Sequence, residues 1–128
     1  MNDKPRPGIG TIGWLDLTVP DAEAVRDFYG AVVGWSPEPV SMGEYDDYSM
    51  TIPDAGPIAG ICHARGVNAS MPPQWIAYFI VDDLDRSIRE CTDRGGKIRV
   101  PPRGGAGEGR FCVIEDPAGA VAALYEPA

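Results

Sequence analysis

The stretch GWLDLTVPDAEAVRDFYGAVVGW, residues 13–35, predicts a strand that is followed directly by a helix. Residues 11–19 alternate between two kinds of side chain, the pattern of a strand with two different faces. One face carries apolar residues, and the other carries Trp14, Asp16 and Thr18. Asp21 is a preferred N-cap residue for a helix over 22–33, and Gly34 suits the end of that helix.

The same order occurs again in WIAYFIVDDLDRSIRECTDRGGKI, residues 75–98. The interval along the chain from Val19 to Val81 equals the interval from Gly34 to Gly96. This second copy predicts a strand at 75–81, a helix at 84–94 and strands at 97–101, 110–115 and 120–125. The corresponding short strands of the first copy are predicted at 37–42, 46–52 and 58–64. A constant spacing between matching signals indicates an internal structural repeat.

The repeat predicts an α+β fold built from two tandem βαβββ modules within a single domain of 128 residues. The first module is expected to cover residues 10–64 and the second residues 74–126. Between them RGVNASMPP, residues 65–73, is polar and is expected to be a linker. A single module is small and leaves a sheet edge open, so two modules together are expected to form the stable structure.

Charge and composition exclude several classes of partner. The net charge is -8 and the pI is near 4.4, so no nucleic acid and no anionic membrane surface is expected as a partner. The sequence contains no apolar run long enough to span a membrane, and the N-terminal MNDKPRPGIG lacks the apolar segment of a signal peptide. The three cysteines, Cys62, Cys91 and Cys112, are odd in number and widely spaced, which favours a cytoplasmic protein.

Three stretches together resemble the vicinal oxygen chelate superfamily, which includes glyoxalase I, bleomycin-resistance proteins and extradiol dioxygenases. They are LDLTVPDAEAVRDFYGAVVGW, YFIVDDLDRSIRECTDRGGKI and FCVIEDPAGAVAALYEP, and the resemblance covers residues 10–126. It implies paired βαβββ modules whose curled mixed sheets form a cleft, with the helices outside and the ligand on the inner face. It also implies a homodimer, with the modules paired within one chain or exchanged between chains.

Enzymes of this superfamily hold a divalent metal with side chains at equivalent places in the two modules. The resemblance carries these places over to Trp14, Gly60, Ile76 and Ala123. None of these residues has a side chain that ligates zinc or a harder cation. We therefore expect a cleft without metal or other cofactor. The alternative is a rebuilt metal site that uses Asp16, Cys62 and His63.

The cleft is expected to be lined by apolar and aromatic residues with a few polar groups, as small organic ligands require. The expected ligand-binding residues are Trp14, Asp16, Tyr48, Met50, Ile76, Tyr78, Ala123 and Tyr125. The alternative is that these residues fill the interior or a dimer contact. The glycine-rich loop PPRGGAGEGR, residues 101–110, is expected at the rim, either as a plain hairpin or as a flap.

Two functional classes agree with the sequence. The first is a metal-free protein that binds a small hydrophobic or aromatic molecule, as the resemblance to bleomycin-resistance proteins implies. The second is an enzyme: a metal-dependent lyase, isomerase or dioxygenase with a shifted site, or a metal-free catalyst that uses Asp16, Tyr78 or His63. The substituted metal positions favour the first class, although one fold can carry many functions.

Overall fold

Two compact units, each with one helix and four strands, make up the protein in its computed structural model, which describes residues 8–105 and 107–128. One unit is Trp14–Trp75 and the other is Ile76–Ala128 together with residues 8–13. The predicted α+β fold of two βαβββ modules is confirmed. Of the segment 101–110, which was expected as a plain hairpin or a flap, residues 101–104 extend one strand of the second module and Arg110 begins the next, and residue 106 is outside the described residues.

The first unit contains one parallel and two antiparallel strand pairs. Its elements are β1 (Ile12–Val19), α1 (Ala22–Val33), β2 (Ser36–Ser41), β3 (Asp46–Ile52) and β4 (Gly56–His63). The strand order is β2-β3-β4-β1, and β1 runs parallel to β4. The strand β1 therefore connects to β4 through a crossover that includes α1, which covers one face of the sheet.

The second unit repeats this topology. Its elements are β5 (Trp75–Ile80), α2 (Leu84–Asp93), β6 (Lys97–Gly104), β7 (Arg110–Glu115) and β8 (Val121–Glu126), with Trp75 itself grouped with the first unit. The order β6-β7-β8-β5, with β5 parallel to β8, matches the order of the first unit strand for strand. The strand β6 continues past its predicted end at position 101, to Gly104.

Both helices begin in the same way, at equivalent positions of the repeat. A carboxylate oxygen of Asp21 accepts from the backbone N–H of Ala24, and a carboxylate oxygen of Asp83 accepts from that of Arg86, both at 3.1 Å. Each bond satisfies one of the backbone donors that a helix N-terminus leaves without a partner. Gly34 ends α1 at a φ of 88°, the left-handed conformation that glycine adopts without steric cost.

Two segments lie outside the modules to which the sequence assigned them. Residues 10–13 were expected in the first module but group with the second unit, and residues 65–73 were expected as a linker but group with the first unit. Gly10 N–H donates to Ile80 O at 2.7 Å, and Ile80 N–H donates to Thr11 O at 2.9 Å, so this segment lies along β5. The expected linker 65–73 contains a short 3-10 turn at Gly66–Asn68 and belongs to the first unit.

Each sheet buries one face under its own helix. In the first unit, β1, β3 and β4 contribute Leu17, Val19, Tyr48, Met50 and Ile61, which pack with Val25 and Tyr29 of α1. In the second unit, Leu84 and Ile88 of α2 pack with Cys112, Ile114 and Leu124. Full burial of a side chain such as Met50 or Ile61 contributes about 1.5–3 kcal/mol, so these contacts hold each helix on its sheet.

The helix α1 also presents apolar side chains to solvent. Phe28, Val32 and Val33 are 56%, 64% and 51% exposed. Within the described part of the chain, neither helix has the length and apolar character needed to cross a membrane.

Candidate functional site

Each sheet has a second face that its own helix does not cover, called here the helix-free face. In the first unit the register pairs Asp16 with Gly60 and Ser49 with Gly60, which places these residues on one face. Because successive side chains of a strand point to opposite faces, every second residue of these strands lies on the same face as Asp16, Ser49 and Gly60. The helix-free face of the first unit consists of Trp14, Asp16, Thr18, Asp47, Ser49, Gly60 and Cys62.

The expected placement of Tyr48 and Met50 beside Trp14 and Asp16 is wrong. Tyr48 pairs with Ile61 and Met50 pairs with Ala59, so both point to the opposite face, beneath α1. The guanidinium of Arg26 on α1 lies 4.7 Å from the centre of the Tyr48 ring. The apolar residues of β3 face the helix because α1 needs an apolar surface to pack on, and this leaves the polar residues of β3 on the helix-free face.

Trp14 and Asp16 form a hydrogen-bonded pair directly above Gly60. The indole Nε1–H donates to Oδ1 of Asp16 at 2.6 Å. A Cβ placed on Gly60 would overlap this same carboxylate oxygen and lie 3.3 Å from Trp14 Nε1. The space above the backbone of Gly60 is therefore occupied by the carboxylate and the edge of the indole.

Cys62 lies beside this pair as a neutral thiol. Burial raises the pKa of the Cys62 thiol far above its usual range, and the negative charges of Asp16 and Asp47 raise it further. A neutral thiol is a poor nucleophile and a poor metal ligand, because the thiolate performs both functions. Cys62 therefore acts here as a small, protonated side chain between two carboxylates.

His63 ends β4 and contacts Asp47. The backbone N–H of His63 donates to Oδ1 of Asp47 at 2.8 Å, and its Nδ1 lies 3.3 Å from the same oxygen. The His63 ring also lies 5.3 Å from the Tyr45 ring, centre to centre. These contacts fix the imidazole at the end of the strand.

The side chains do not fit a divalent metal. Trp14 and Asp16 fill the space above Gly60, and the other two implied positions, Ile76 and Ala123, have hydrocarbon side chains. Across 8–105 and 107–128, no three His, Cys, Asp or Glu side chains are grouped so that they could hold a metal ion. Asp16, Cys62 and His63, the alternative set of metal ligands, are therefore not grouped closely enough to hold a metal ion.

The helix-free face of the second unit is apolar and aromatic. The register pairs Tyr78 with Ala123 and Phe111 with Tyr125, and Val113 also pairs with Ala123. This face includes Ile76, Tyr78, Ile80, Phe111, Val113, Ala123 and Tyr125, so the four residues expected from this module share one face. The rings of Tyr78 and Phe111 lie 6.0 Å apart, centre to centre.

Phe111 and Val113 were not among the residues expected from the sequence. The alternation of side chains within residues 110–115 places Phe111 and Val113 on one face of β7. Only the pairing of β7 with β8 shows that this is the face of Ala123 and Tyr125. Gly109, the residue directly before β7, also lies against this face, because a Cβ at Gly109 would collide with the hydroxyl of Tyr125.

The two helix-free faces differ in polarity at equivalent positions. Asp16 and Tyr78 occupy matching places in the repeat, and each pairs with the small residue of the closing strand, Gly60 or Ala123. The next residue across is Ser49 in the first unit and Val113 in the second. One repeat thus offers hydrogen-bond acceptors where the other offers an apolar and aromatic surface.

Two shallow cavities lie elsewhere, against the C-terminal end of α2 and the turn at 116–119. Their volumes are about 220 and 260 Å³. Cys91 and Ile114 line the first, and Lys97 and Glu115 line the second. None of the expected ligand-binding residues lines either cavity.

Comparison with known proteins identifies relatives that match most of the chain. Residues 11–124 match the family described as the Glyoxalase/Bleomycin resistance protein/Dioxygenase superfamily. CFP32 of Mycobacterium tuberculosis, which carries a provisional glyoxylase name, is 33% identical over 122 residues, 91% of this chain and 46% of that protein. The anthracycline biosynthesis protein DnrV of Streptomyces peucetius is 30% identical over 128 residues, again 91% and 46%. The chain thus spans about half the length of these curated relatives.

Solved structures with the same fold include methylmalonyl-CoA epimerases. The enzyme from Mycobacterium tuberculosis has a TM-score of 0.59 and 19% identity, covering 98% of this chain and 94% of that chain. A variant of the Streptomyces coelicolor enzyme in complex with 2-nitronate-propionyl-CoA has a TM-score of 0.60 and 17% identity, covering 94% and 99%. At this level of identity the likeness concerns the fold alone.

Proposed function

Because this chain belongs to the Glyoxalase/Bleomycin resistance protein/Dioxygenase superfamily, we propose that it binds a small hydrophobic or aromatic molecule without a divalent metal. The observation that carries the proposal is the pair of Trp14 and Asp16 above Gly60. Two places that the family resemblance assigns to metal ligands are an indole and a glycine here, and the space between them is filled. A metal at this place would have to displace both side chains.

The apolar helix-free face of the second unit supports a hydrophobic or aromatic ligand. Tyr78, Phe111 and Tyr125 are half-buried rather than buried, so their rings keep some accessible surface. Aromatic rings bury a large area at low cost in side-chain entropy and bind other rings by offset or edge-to-face contacts. Small-molecule sites combine such surfaces with a few polar groups, and the two tyrosines carry hydroxyls on this face.

A metal-free catalyst is the second candidate, and the geometry of Asp16 is what favours it. The bond from Trp14 fixes the direction of the carboxylate, as a general base requires. One relative carries a provisional glyoxylase name. An enzyme would convert a bound molecule, whereas a binding protein would return it unchanged.

Two measurements on the purified protein test the proposal: its content of divalent metal, and the identity of any small molecule that stays bound through purification. The purified protein, dialysed without chelator, is analysed by elemental mass spectrometry and by native mass spectrometry. We expect no stoichiometric divalent ion and, where a ligand is retained, a small aromatic or hydrophobic molecule. About one zinc, iron, manganese or nickel per chain, lost in Asp16→Ala and kept in the control Asp93→Ala, would contradict the proposal and favour the metal-dependent alternative.

We further propose that the chain is a homodimer and that it acts in the cytoplasm. The exposed Phe28, Val32 and Val33 on α1 support self-association, because soluble monomers rarely expose adjacent large apolar side chains without a partner. The odd number of cysteines supports the cytoplasmic location.

A further inference from the structure

Arg103 lies at the edge of the helix-free face of the second unit. The strand register pairs Arg103 with Phe111 and Phe111 with Tyr125, so these three residues form one row across β6, β7 and β8. Residues directly opposite each other on antiparallel strands share a face of the sheet. We infer that Arg103 binds the carboxylate of a ligand whose aromatic ring lies on Phe111 and Tyr125. This inference rests on the proposed function and names the chemical class of the ligand as an aromatic carboxylate.

A bulge in β6 places Arg103 on this face. Val100 pairs with Val113, and the register shifts after this pair, so that Pro101 and Pro102 together stand opposite one residue of β7. Without the shift, alternation along β6 would turn Arg103 to the face that α2 covers. Bulges often re-aim a side chain next to a binding site, and proline fits them because the ladder of hydrogen bonds is interrupted there.

Arg103 and Arg110, which flank Phe111 in space and in sequence, differ in their partners. Arg110 lies on the opposite face, where Glu126 binds its guanidinium at 3.3 Å and Asp85 binds it at 3.4 Å. Arg103 is exposed, and in the part of the chain that the structure describes no ion pair joins its guanidinium to an Asp or Glu side chain. Of these two arginines, Arg103 is therefore the one that can bind an external anion.

The charge of one guanidinium determines the class of anion. Its parallel N–H donors match the two oxygens of a carboxylate. A carboxylate carries one negative charge, which a single arginine balances, whereas a phosphate monoester carries about -1.5 to -2. Because the chain has a net charge of -8, the unbalanced charge of a phosphate would be repelled.

The aromatic row gives the ligand its affinity, and Arg103 gives it selectivity. Phe111 and Tyr125 are half-buried, and Val100 and Val113 in the adjoining row are buried, so the surface beside Arg103 is apolar. An aromatic ring gains contact area and ring-to-ring interactions on such a surface. An exposed ion pair alone contributes little, so the carboxylate of a ligand without a ring would not stay bound at Arg103.

Two probes of the same ring system, 2-naphthoate and 2-naphthamide, test the inference because they match in shape and differ in charge. Calorimetric or NMR titration of the full chain is expected to show 2-naphthoate bound about fivefold tighter, as for an exposed ion pair of good geometry. Added salt should reduce this preference by screening the charges. The net charge of -8 repels anions in general, so a preference for the anion requires a local cation.

The two probes also separate failure of the inference from failure of the proposed function. Equal binding of the two, or tighter binding of 2-naphthamide, would overturn the inference and leave the proposed function in place. If neither probe binds, the proposed function fails and this inference fails with it.

The variant Arg103→Gln then tests the arginine itself. The preference for 2-naphthoate should disappear, while 2-naphthamide should bind as it does to the wild type. Arg89→Gln makes the same charge change at an exposed position of α2, on the other side of the sheet, and should keep the preference. Phe111→Leu should weaken both probes to a similar extent and leave their ratio unchanged, because both depend on the same ring contact.

An unchanged preference in Arg103→Gln would overturn the inference, because the anion would then bind elsewhere. Should Arg103→Gln fail to fold by circular dichroism, Arg103→Met provides the second test. That variant keeps an unbranched side chain on the edge strand and removes the charge, so the same loss of preference is expected. A preference retained in Arg103→Met would contradict the inference in the same way.

Discussion

The indole N–H of Trp14 donates a 2.6 Å hydrogen bond to Asp16, and the acceptor oxygen lies where a side chain at Gly60 would begin. These residues belong to two parallel strands and depend on one another. The glycine leaves space for the carboxylate, the carboxylate satisfies the indole, and the indole fixes the carboxylate. Substitution at any of the three should affect the other two.

Gly60→Ala should destabilise the fold by about 2 kcal/mol, the value expected when a hydrogen bond to a charged group is broken. The new Cβ would displace the Asp16 carboxylate from the indole, so tryptophan fluorescence should change as well. Urea unfolding measures the loss. Gly30→Ala is the matched control, because Gly30 is inside α1 and alanine there should be neutral or stabilising by up to about 1 kcal/mol. Equal effects of the two variants would contradict this account.

Trp14→Ala should weaken binding of an aromatic probe such as 2-naphthol at least about tenfold, because it removes both a ring contact and the orientation of Asp16. Metal content should remain at zero. Titration and elemental analysis of the same sample measure both quantities. Trp35→Phe is the control, since Trp35 packs against Tyr29 on the helix side of the sheet. A rise in bound metal in Trp14→Ala would show that the indole had been excluding an ion.

The stability of the fold should fall as the pH rises from about 9 to about 11, in part through Cys112. Burial raises the pKa of the Cys112 thiol from 9.0 to about 11. In this range the unfolded chain loses the thiol proton while the folded chain keeps it, so alkaline pH favours unfolding. Urea unfolding under reducing conditions at pH 8 and pH 10.5 measures the loss. The loss should be smaller in Cys112→Ala, and an equal loss in both proteins would argue against Cys112 as a source.

Glu126 should contribute to the acid sensitivity of the second unit. Its pKa is lowered from 4.5, first by the backbone N–H of Leu84 at 2.8 Å and then by Arg110. A lowered folded pKa means that this stabilisation is complete above the unfolded pKa and is lost as the pH falls through the folded pKa. The stability difference between the wild type and Glu126→Gln, measured by urea unfolding, should therefore shrink between pH 7 and pH 3. A difference that stays constant over this range would contradict the prediction.

Sedimentation equilibrium should give a mass of roughly twice 13.7 kDa. Replacement of Phe28 and Val32 by serine should shift the protein toward the monomer, because both side chains are exposed on α1 and contribute little to the core of the chain itself. Thermal unfolding at low protein concentration checks that the variant still folds. A wild-type mass near that of a single chain, at high protein concentration, would exclude the homodimer.

Local sequence patterns were sufficient to predict the strands, the helices and the internal repeat. Alternation predicted β1 and β5, Asp21 and Asp83 predicted the helix starts, and glycine predicted the end of α1. These signals act over a few residues, through backbone geometry and hydrogen bonds between near neighbours, so they can be read without knowledge of the fold. The constant spacing between matching signals then predicted two copies of one βαβββ module, and the fold confirmed it.

The sequence by itself also determined that the four positions implied as metal ligands carry Trp14, Gly60, Ile76 and Ala123. Only the tertiary structure decided which side chains surround them. Tyr48 and Met50 face α1 rather than Trp14, because the face of a strand is set by its register with β4 and by the position of the helix. The contact of Asp16 with Gly60 likewise joins residues that are far apart along the chain, and no local pattern encodes which strands become neighbours.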